Sequence, residues 1–253
     1  MRLLIAPLVA AASLLVLAPA RAQGPAIEPE AVAALQRMGQ TLKTLSTFSV
    51  QGAASSEDVL PQGMKVRRDK VSTLEVARPD RVRAEQTGAG GWNRQVVYDG
   101  KTVSIFSKSA GYYAQAPATA TVYQLAGRIE SDYQLELPLL DLFAWADEAA
   151  QRPQLQMAHV VGYATVRGTP CDQYAYRQDG ADWQVWIQRG AQALPRRLVV
   201  TSTRSEARPQ IVEDYDWTLN PPVAADAFEF RPPAGAISVP LARVKEIAVT
   251  QQR

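Results

Sequence analysis

One cysteine and one histidine occur in 253 residues, and this scarcity removes several chemistries at once. A lone thiol, Cys171, has no internal partner for a disulfide, so the fold must hold by burial. With His159 as the sole imidazole, a histidine-based metal cluster cannot be assembled from this chain, and no metal or other cofactor is expected. A surplus of one charge is also missing. Arg2 and Arg21 both fall in the first 22 residues, so the remainder carries 27 − 2 = 25 Lys+Arg against 25 Asp+Glu, a formal net charge of 0. The main electrostatic argument for a nucleic-acid partner goes with it, although Lys65, Arg67, Arg68 and Lys70 lie close together. Long apolar runs are absent too. The one exception, Leu3 to Leu17, has about fifteen residues where a spanning helix needs roughly twenty.

That run matches a secretory leader. Arg2 precedes it, and Ala20-Arg21-Ala22 places small residues where signal peptidase needs them, so cleavage is expected after Ala22. No cysteine near that point can accept a lipid. The expected product is a soluble, monomeric periplasmic protein, a single domain over 23–253 without a lipid anchor.

Along that domain, Ala31, Val32, Leu35, Met38, Leu42 and Leu45 recur at helical spacing, which predicts an amphipathic helix over 30–45 that begins near Pro29. Short alternating runs follow at 48–53, 65–76, 81–86, 95–98 and 102–107, read as consecutive antiparallel strands. Asp99-Gly100 between the last two predicts a type I′ hairpin turn. The middle changes period. Val122, Leu125, Ala126, Ile129 and Tyr133 share one helical face, and after Pro138 so do Leu139, Leu142, Phe143 and Ala146. Strand texture returns at 160–167, 172–178, 183–188, 196–203 and 209–219, and the tail from 237 to 249 is expected to add an edge strand. The pattern predicts an α+β fold: a strongly curved antiparallel sheet forming an open half-barrel, with an N-terminal helix and a central helical insertion as a lid. An opening on one side suits an elongated apolar ligand.

Residues able to do chemistry are few and badly placed for it. His159, beside Val160 and Val161, reads as a structural or surface histidine. A Cys171 nucleophile with His159 as its base is the sharper reading, but Thr169-Pro170-Cys171-Asp172 is turn-like and favours a half-buried free thiol. Asp141, Asp147 and Glu148, and separately Glu213, Asp214 and Asp216, read as solvated charge, with Asp214 and Asp216 on the outward face of a strand. Glu213 interrupts the inward apolar series Ile211, Tyr215, Trp217 and Leu219, so the inner surface is not wholly dry. No Walker loop, nucleophile elbow or zinc-protease helix occurs, and no enzyme is expected. The aromatics are more informative. Trp183 and Trp186 must face opposite sides of one strand; Tyr112 and Tyr113, Tyr174 and Tyr176, Tyr215 and Trp217 add large surfaces with polar tips. Taken singly, each reads as sheet core. Together with the helical insertion, they offer a cavity side made of Leu125, Ile129, Leu142, Phe143, Trp183, Val185, Tyr215 and Trp217.

Three stretches in order, Leu74 through Arg83 with its Arg78-Pro79 corner, Tyr98-Asp99-Gly100-Lys101, and Phe228-Glu229-Phe230-Arg231-Pro232-Pro233-Ala234-Gly235, resemble the periplasmic lipoprotein-carrier (LolA/LolB-like) superfamily. Asp182-Trp183-Gln184-Val185-Trp186-Ile187 followed by Leu194-Pro195-Arg196-Arg197-Leu198-Val199-Val200 resembles an exported family of unknown function within it. The resemblance implies an open half-barrel with a helical lid over an apolar cavity. It also implies a carrier or chaperone for a lipid, a lipoprotein acyl chain or another amphipathic ligand. In the carrier an arginine on an early strand helps hold the lid, and Arg67, Arg68 and Arg83 are the candidates here. A related half-barrel serves in a periplasmic stress regulator, which implies the alternative of an envelope-sensing module with a membrane-bound protein as its partner.

Overall fold

The computed structural model describes residues 26–133, 155–224 and 226–241. The leader, the helical face from Leu139 to Ala146 with Leu142 and Phe143, and the tail beyond 241 lie outside the described residues.

Twelve strands form one sheet. Helix α1 (Pro29–Thr44) precedes a meander of β1 (Thr47–Val59), β2 (Lys65–Ala77), β3 (Arg81–Gly88), β4 (Asn93–Tyr98), β5 (Thr102–Ser107) and β6 (Tyr112–Pro117). Helix α2 (Val122–Tyr133) follows, then a second meander of β7 (Met157–Val166), β8 (Thr169–Gln178), β9 (Ala181–Gln188), β10 (Pro195–Ser202) and β11 (Gln210–Leu219), and last a short β12 (Ile237–Ser238). The spatial order is β12-β6-β5-β4-β3-β2-β1-β11-β10-β9-β8-β7. The two meanders join where β1 pairs antiparallel with β11, from Phe48 opposite Leu219 to Ser56 opposite Ile211. The ends, β12 and β7, do not meet, so the sheet stays open.

Residues opposite one another in this register share a face. Phe48, Val50, Leu74, Val76, Val82, Ala84, Val96, Tyr98 and Val103 of the first meander fall on one side. They belong to the same buried cluster as Tyr174, Tyr176, Trp183, Val185, Leu198 and Tyr215 of the second, and both helices pack into it. This is the concave side of an open, curved α+β sheet. From α1 it receives Ala31, Ala34, Met38 and Leu42, at helical spacing. From α2 it receives Val122, Leu125 and Ile129. The α2 helix starts at Val122 because Thr121 and Gln124 form a reciprocal capping box: the Gln124 amide donates to Thr121 Oγ1 and the Thr121 amide to Gln124 Oε1.

Two differences from the sequence reading concern strands. β1 runs to Val59, beyond the alternating segment, because Ala53 to Glu57 pair with β2 and, as far as Ser56, with β11; neighbours on both sides hold a stretch with little strand pattern of its own. β6 was hidden in Tyr112-Tyr113-Ala114-Gln115-Ala116-Pro117, whose small residues blur the alternation. The edge strand expected from 237 appears as β12, parallel to β6.

The hairpin between β4 and β5 is present, but the turn is not type I′. Among its residues only Gly100 has a positive φ, 92°. Asp99 is not left-handed, because its carboxylate accepts the amides of Lys101 and Thr102 at 2.8 and 2.7 Å and closes the loop through a side chain. A Cβ on Gly100 would meet Asp80 Oδ2 at 2.8 Å, so the Arg78-Pro79-Asp80-Arg81 corner and the Asp99-Gly100 turn fit against each other. Gly100→Ala is expected to lower stability by about 1–2 kcal/mol from the left-handed backbone alone, measurable as a shift in urea midpoint without a change of slope.

The convex side has its own cover. Residues 226–236 cross it as a strap before joining the sheet as β12: Phe228 is buried, and Phe230 packs on Phe106 and Tyr113 with ring centroids 6.1 and 5.6 Å apart. Arg83 clasps the strap, donating to the carbonyls of Ala227 at 2.6 Å and Glu229 at 3.0 Å. Arg83 therefore faces away from the helices. Arg67 and Arg68 are exposed and pair with Asp69 and Asp58.

Candidate functional site: the concave face

All six described members of the expected cavity side reach the concave face. Leu125, Ile129, Trp183, Val185 and Tyr215 are buried in its core, and Trp217 is packed against it. Trp183 stacks on Tyr176 with centroids 4.2 Å apart. Trp217 leans on Phe48 at 5.7 Å and donates its indole N–H to the Pro195 carbonyl at 2.8 Å. Tyr215 donates to Glu213 Oε2 at 3.1 Å, so a carboxylate does enter the inner surface where the alternation placed it. Leu142 and Phe143 lie outside the described residues.

Two buried tyrosines seat the helices. Tyr98, fully buried, donates its hydroxyl proton to the Ala120 carbonyl at 2.8 Å and accepts the Ala120 amide at 2.9 Å, fixing the connector that feeds α2. Tyr176 donates to the Ala31 carbonyl in the first turn of α1 at 2.9 Å, and burial pushes its phenol far above the ordinary range. By sequence Tyr176 is one aromatic surface among several and Tyr98 part of a hairpin. A tyrosine among inward-facing apolar residues was the available signal, since its hydroxyl must find a partner when buried.

Two recesses open beside the helices. One, of about 180 Å³, lies between α2 and the β5–β6 end of the sheet; Leu125, Ile129, Val103 and Ala116 line it, with Arg128 and Asp132 also in the lining. The other, of about 430 Å³, lies between α1 and the β8–β9 end, with Ile187 and Tyr174 among its lining residues.

The chemistry-bearing residues stand apart from both. His159 sits opposite Ala175, and Cys171 opposite Ala164. On β8 these rungs are four residues apart, about 13 Å at strand rise, so the two cannot work as a nucleophile and its base. His159 Nδ1 lies 3.1 Å from Glu28, whose carboxylate also accepts the Val160 amide at 2.8 Å. Cys171 is fully buried rather than half-buried, and burial raises its pKa. Asp214 and Asp216 face outward as expected, but Asp214 is not solvated: its side chain is 14% exposed because Arg197 and Arg167 both pair with it. Among the described residues no group of three or more His, Cys, Asp or Glu is placed to hold a metal ion.

Within the second meander, Asp182 of β9 joins the β8–β9 hairpin to the loop before β11. Arg177 donates to both of its oxygens at 2.6 and 2.9 Å, and Arg208 donates at 2.8 Å. Hydrogen bonding from Arg177, reinforced by Arg208, brings its carboxyl down to about 2 from an ordinary 3.8. A depressed carboxylate stabilises the fold above its unfolded value, and that contribution is lost as pH falls from about 4 towards 2. Asp182→Asn is expected to flatten this part of the acid-unfolding curve, followed by circular dichroism.

A family model described as predicted periplasmic protein (DUF2092) matches residues 31–242. The chain belongs to this family. The resemblance to an exported family of unknown function therefore holds. No curated protein matches the sequence. Among solved structures, LprF from Mycobacterium bovis is 14% identical with a TM-score of 0.50, covering 83% of this chain and 99% of its own; at that identity the likeness is one of fold. Lipoprotein LppX from Mycobacterium tuberculosis aligns at 12% identity and a TM-score of 0.47, over 79% of this chain and all of its own. The Pseudomonas aeruginosa MucA/MucB complex aligns at 15% identity and a TM-score of 0.43, over 83% of this chain and 63% of that one. No described helix of this DUF2092 protein is long and apolar enough to cross a membrane.

Proposed function

We propose that this DUF2092 protein is a periplasmic carrier or chaperone. In this reading its leader is cleaved after Ala22, no lipid anchor is attached, and the concave face shelters the acyl part of a lipid, lipoprotein or other amphipathic molecule. The observation that carries the reading is the recess between α2 and the sheet. Its Leu125 and Ile129 are the inward residues of a helix, not of a second sheet, and a helix held at its N-terminal connector can tilt away from a sheet without breaking strand ladders. The insertion that begins with α2 would then act as the lid. Each methylene sheltered contributes about 0.8 kcal/mol, so a medium acyl chain reaches micromolar affinity after ordering costs. Binding rather than catalysis is the role we assign, supported by the separation of His159 from Cys171 and by the raised thiol pKa.

Native mass spectrometry of protein purified gently from its own periplasm tests this directly. A lipid-sized mass that copurifies, and that is displaced by a fluorescent acyl probe, is the expected result. Protein recovered only ligand-free, unable to bind the probe, and crosslinking to a membrane-bound envelope protein would overturn carriage in favour of an interaction module.

A further inference from the structure

We infer that the cleft between α1 and the β8–β9 end of the sheet binds one carboxylate or phosphate group, presented as the head of an amphipathic ligand; the second half of this statement rests on the carrier reading.

The cleft has an apolar floor and a cationic rim. Its floor includes Ile187 and the ring of Tyr174, both part of the concave core. Its rim carries Arg37 from α1 and Arg189 from the loop after β9. Only one carboxylate lines it, Asp172, and that pairs with Arg189 at 3.3 Å. Two guanidiniums thus stand against one carboxylate in the lining, with Glu30 of α1 acting on Tyr174 from outside it. Among the described residues, no carboxylate forms an ion pair with Arg37. Tyr174 shares the lining with it, a neutral group that leaves the cation uncancelled. The Tyr174 phenol, whose pKa burial raises, adds a hydroxyl donor to the lining.

The spacing of the rim is set by the scaffold. Thr41 Oγ1 accepts the Ala193 amide at 3.3 Å, which ties the loop bearing Arg189 to the helix bearing Arg37. The Arg189 guanidinium also lies over the Tyr163 ring at 5.5 Å. The smaller recess under α2 differs in kind: its two charged residues, Arg128 and Asp132, are of opposite sign and select no anion. A planar guanidinium fork suits carboxylate and phosphate oxygens, and an apolar floor beneath it suits the first methylenes of a chain.

Isothermal titration of the exported chain with dodecyl phosphate, dodecyl maltoside and methyl phosphate, all below micelle concentrations, separates head from tail. The wild type is expected to bind dodecyl phosphate at least about tenfold tighter than dodecyl maltoside, as one charge-assisted contact provides. Arg37→Gln should erase that preference while leaving maltoside binding unchanged, with Arg37→Lys retaining part of it. A sodium chloride series on the wild type, which needs no variant to fold, should weaken only the phosphate ligand. Equal affinity for the two dodecyl ligands would overturn the anion site and leave carriage standing. Methyl phosphate binding as tightly as dodecyl phosphate, and lost in Arg37→Gln, would uphold the anion site and overturn the acyl carrier. Binding of none of the three would overturn both.

Discussion

Replacing Tyr98 with alanine is expected to lower stability by about 3–5 kcal/mol, the range for removing a large aromatic from a packed core. The side chain is fully buried, so its loss leaves a cavity between β4 and the start of α2. The change also strands both the amide and the carbonyl of Ala120, which Tyr98 now satisfies at 2.9 and 2.8 Å. Tyr98→Phe separates these contributions. It keeps the ring and removes the hydroxyl, and should cost about 1 kcal/mol as part-buried polar groups lose their partner. Chemical denaturation gives both values. Hydrogen exchange gives the location: amides of α2 should lose protection in Tyr98→Phe before those of β1 and β2. Equal loss across the sheet would mean that Tyr98 acts through packing alone, not by seating the helix.

The second large effect is expected at Tyr176. Alanine there removes a ring stacked on Trp183 at 4.2 Å and the donor to the Ala31 carbonyl. Aromatic truncation again predicts about 3–5 kcal/mol, with the stacked pair adding about 0.5–1.5 kcal/mol beyond burial. For a domain of this size that lowers the melting temperature by roughly 10 °C. Trp183 reports the same event optically, since loss of its stacking partner should shift its emission to the red. Tyr176→Phe should retain the emission and lose only the hydrogen bond. A red shift of similar size in Tyr176→Phe would show that the tie to α1, and not the ring, keeps Trp183 dry.

The two tyrosines also show which properties were legible from residues alone. The Tyr98-Asp99-Gly100-Lys101 stretch marks the hairpin correctly, but its apparent turn chemistry is misleading. Asp-Gly is a strong local signal for two left-handed residues, yet the Asp99 carboxylate reaches two amides and makes a second left-handed residue unnecessary. The same stretch supplies the anchor for a helix more than twenty residues away, a role that no local pattern carries. Likewise, Asp214 read as solvated because alternation put it on the outer face. Its cover comes from Arg167 in the β7–β8 turn and Arg197 on β10, and the outward direction was right while the environment was not.

Hydrophobic periodicity by itself determined the two meanders apart from β6, the inward face of α1 and the concave placement of Leu125, Ile129, Trp183, Val185, Tyr215 and Trp217. Side chains at a period of 2 or 3.6 must share a face whatever lies opposite. Tertiary structure alone decided that β1 joins β11, that residues 226–236 strap the convex side under Arg83, and that Arg37 and Arg189 rim one cleft. Those arrangements depend on surfaces distant in the chain meeting in one register, and the free energy that selects them is absent from any local window.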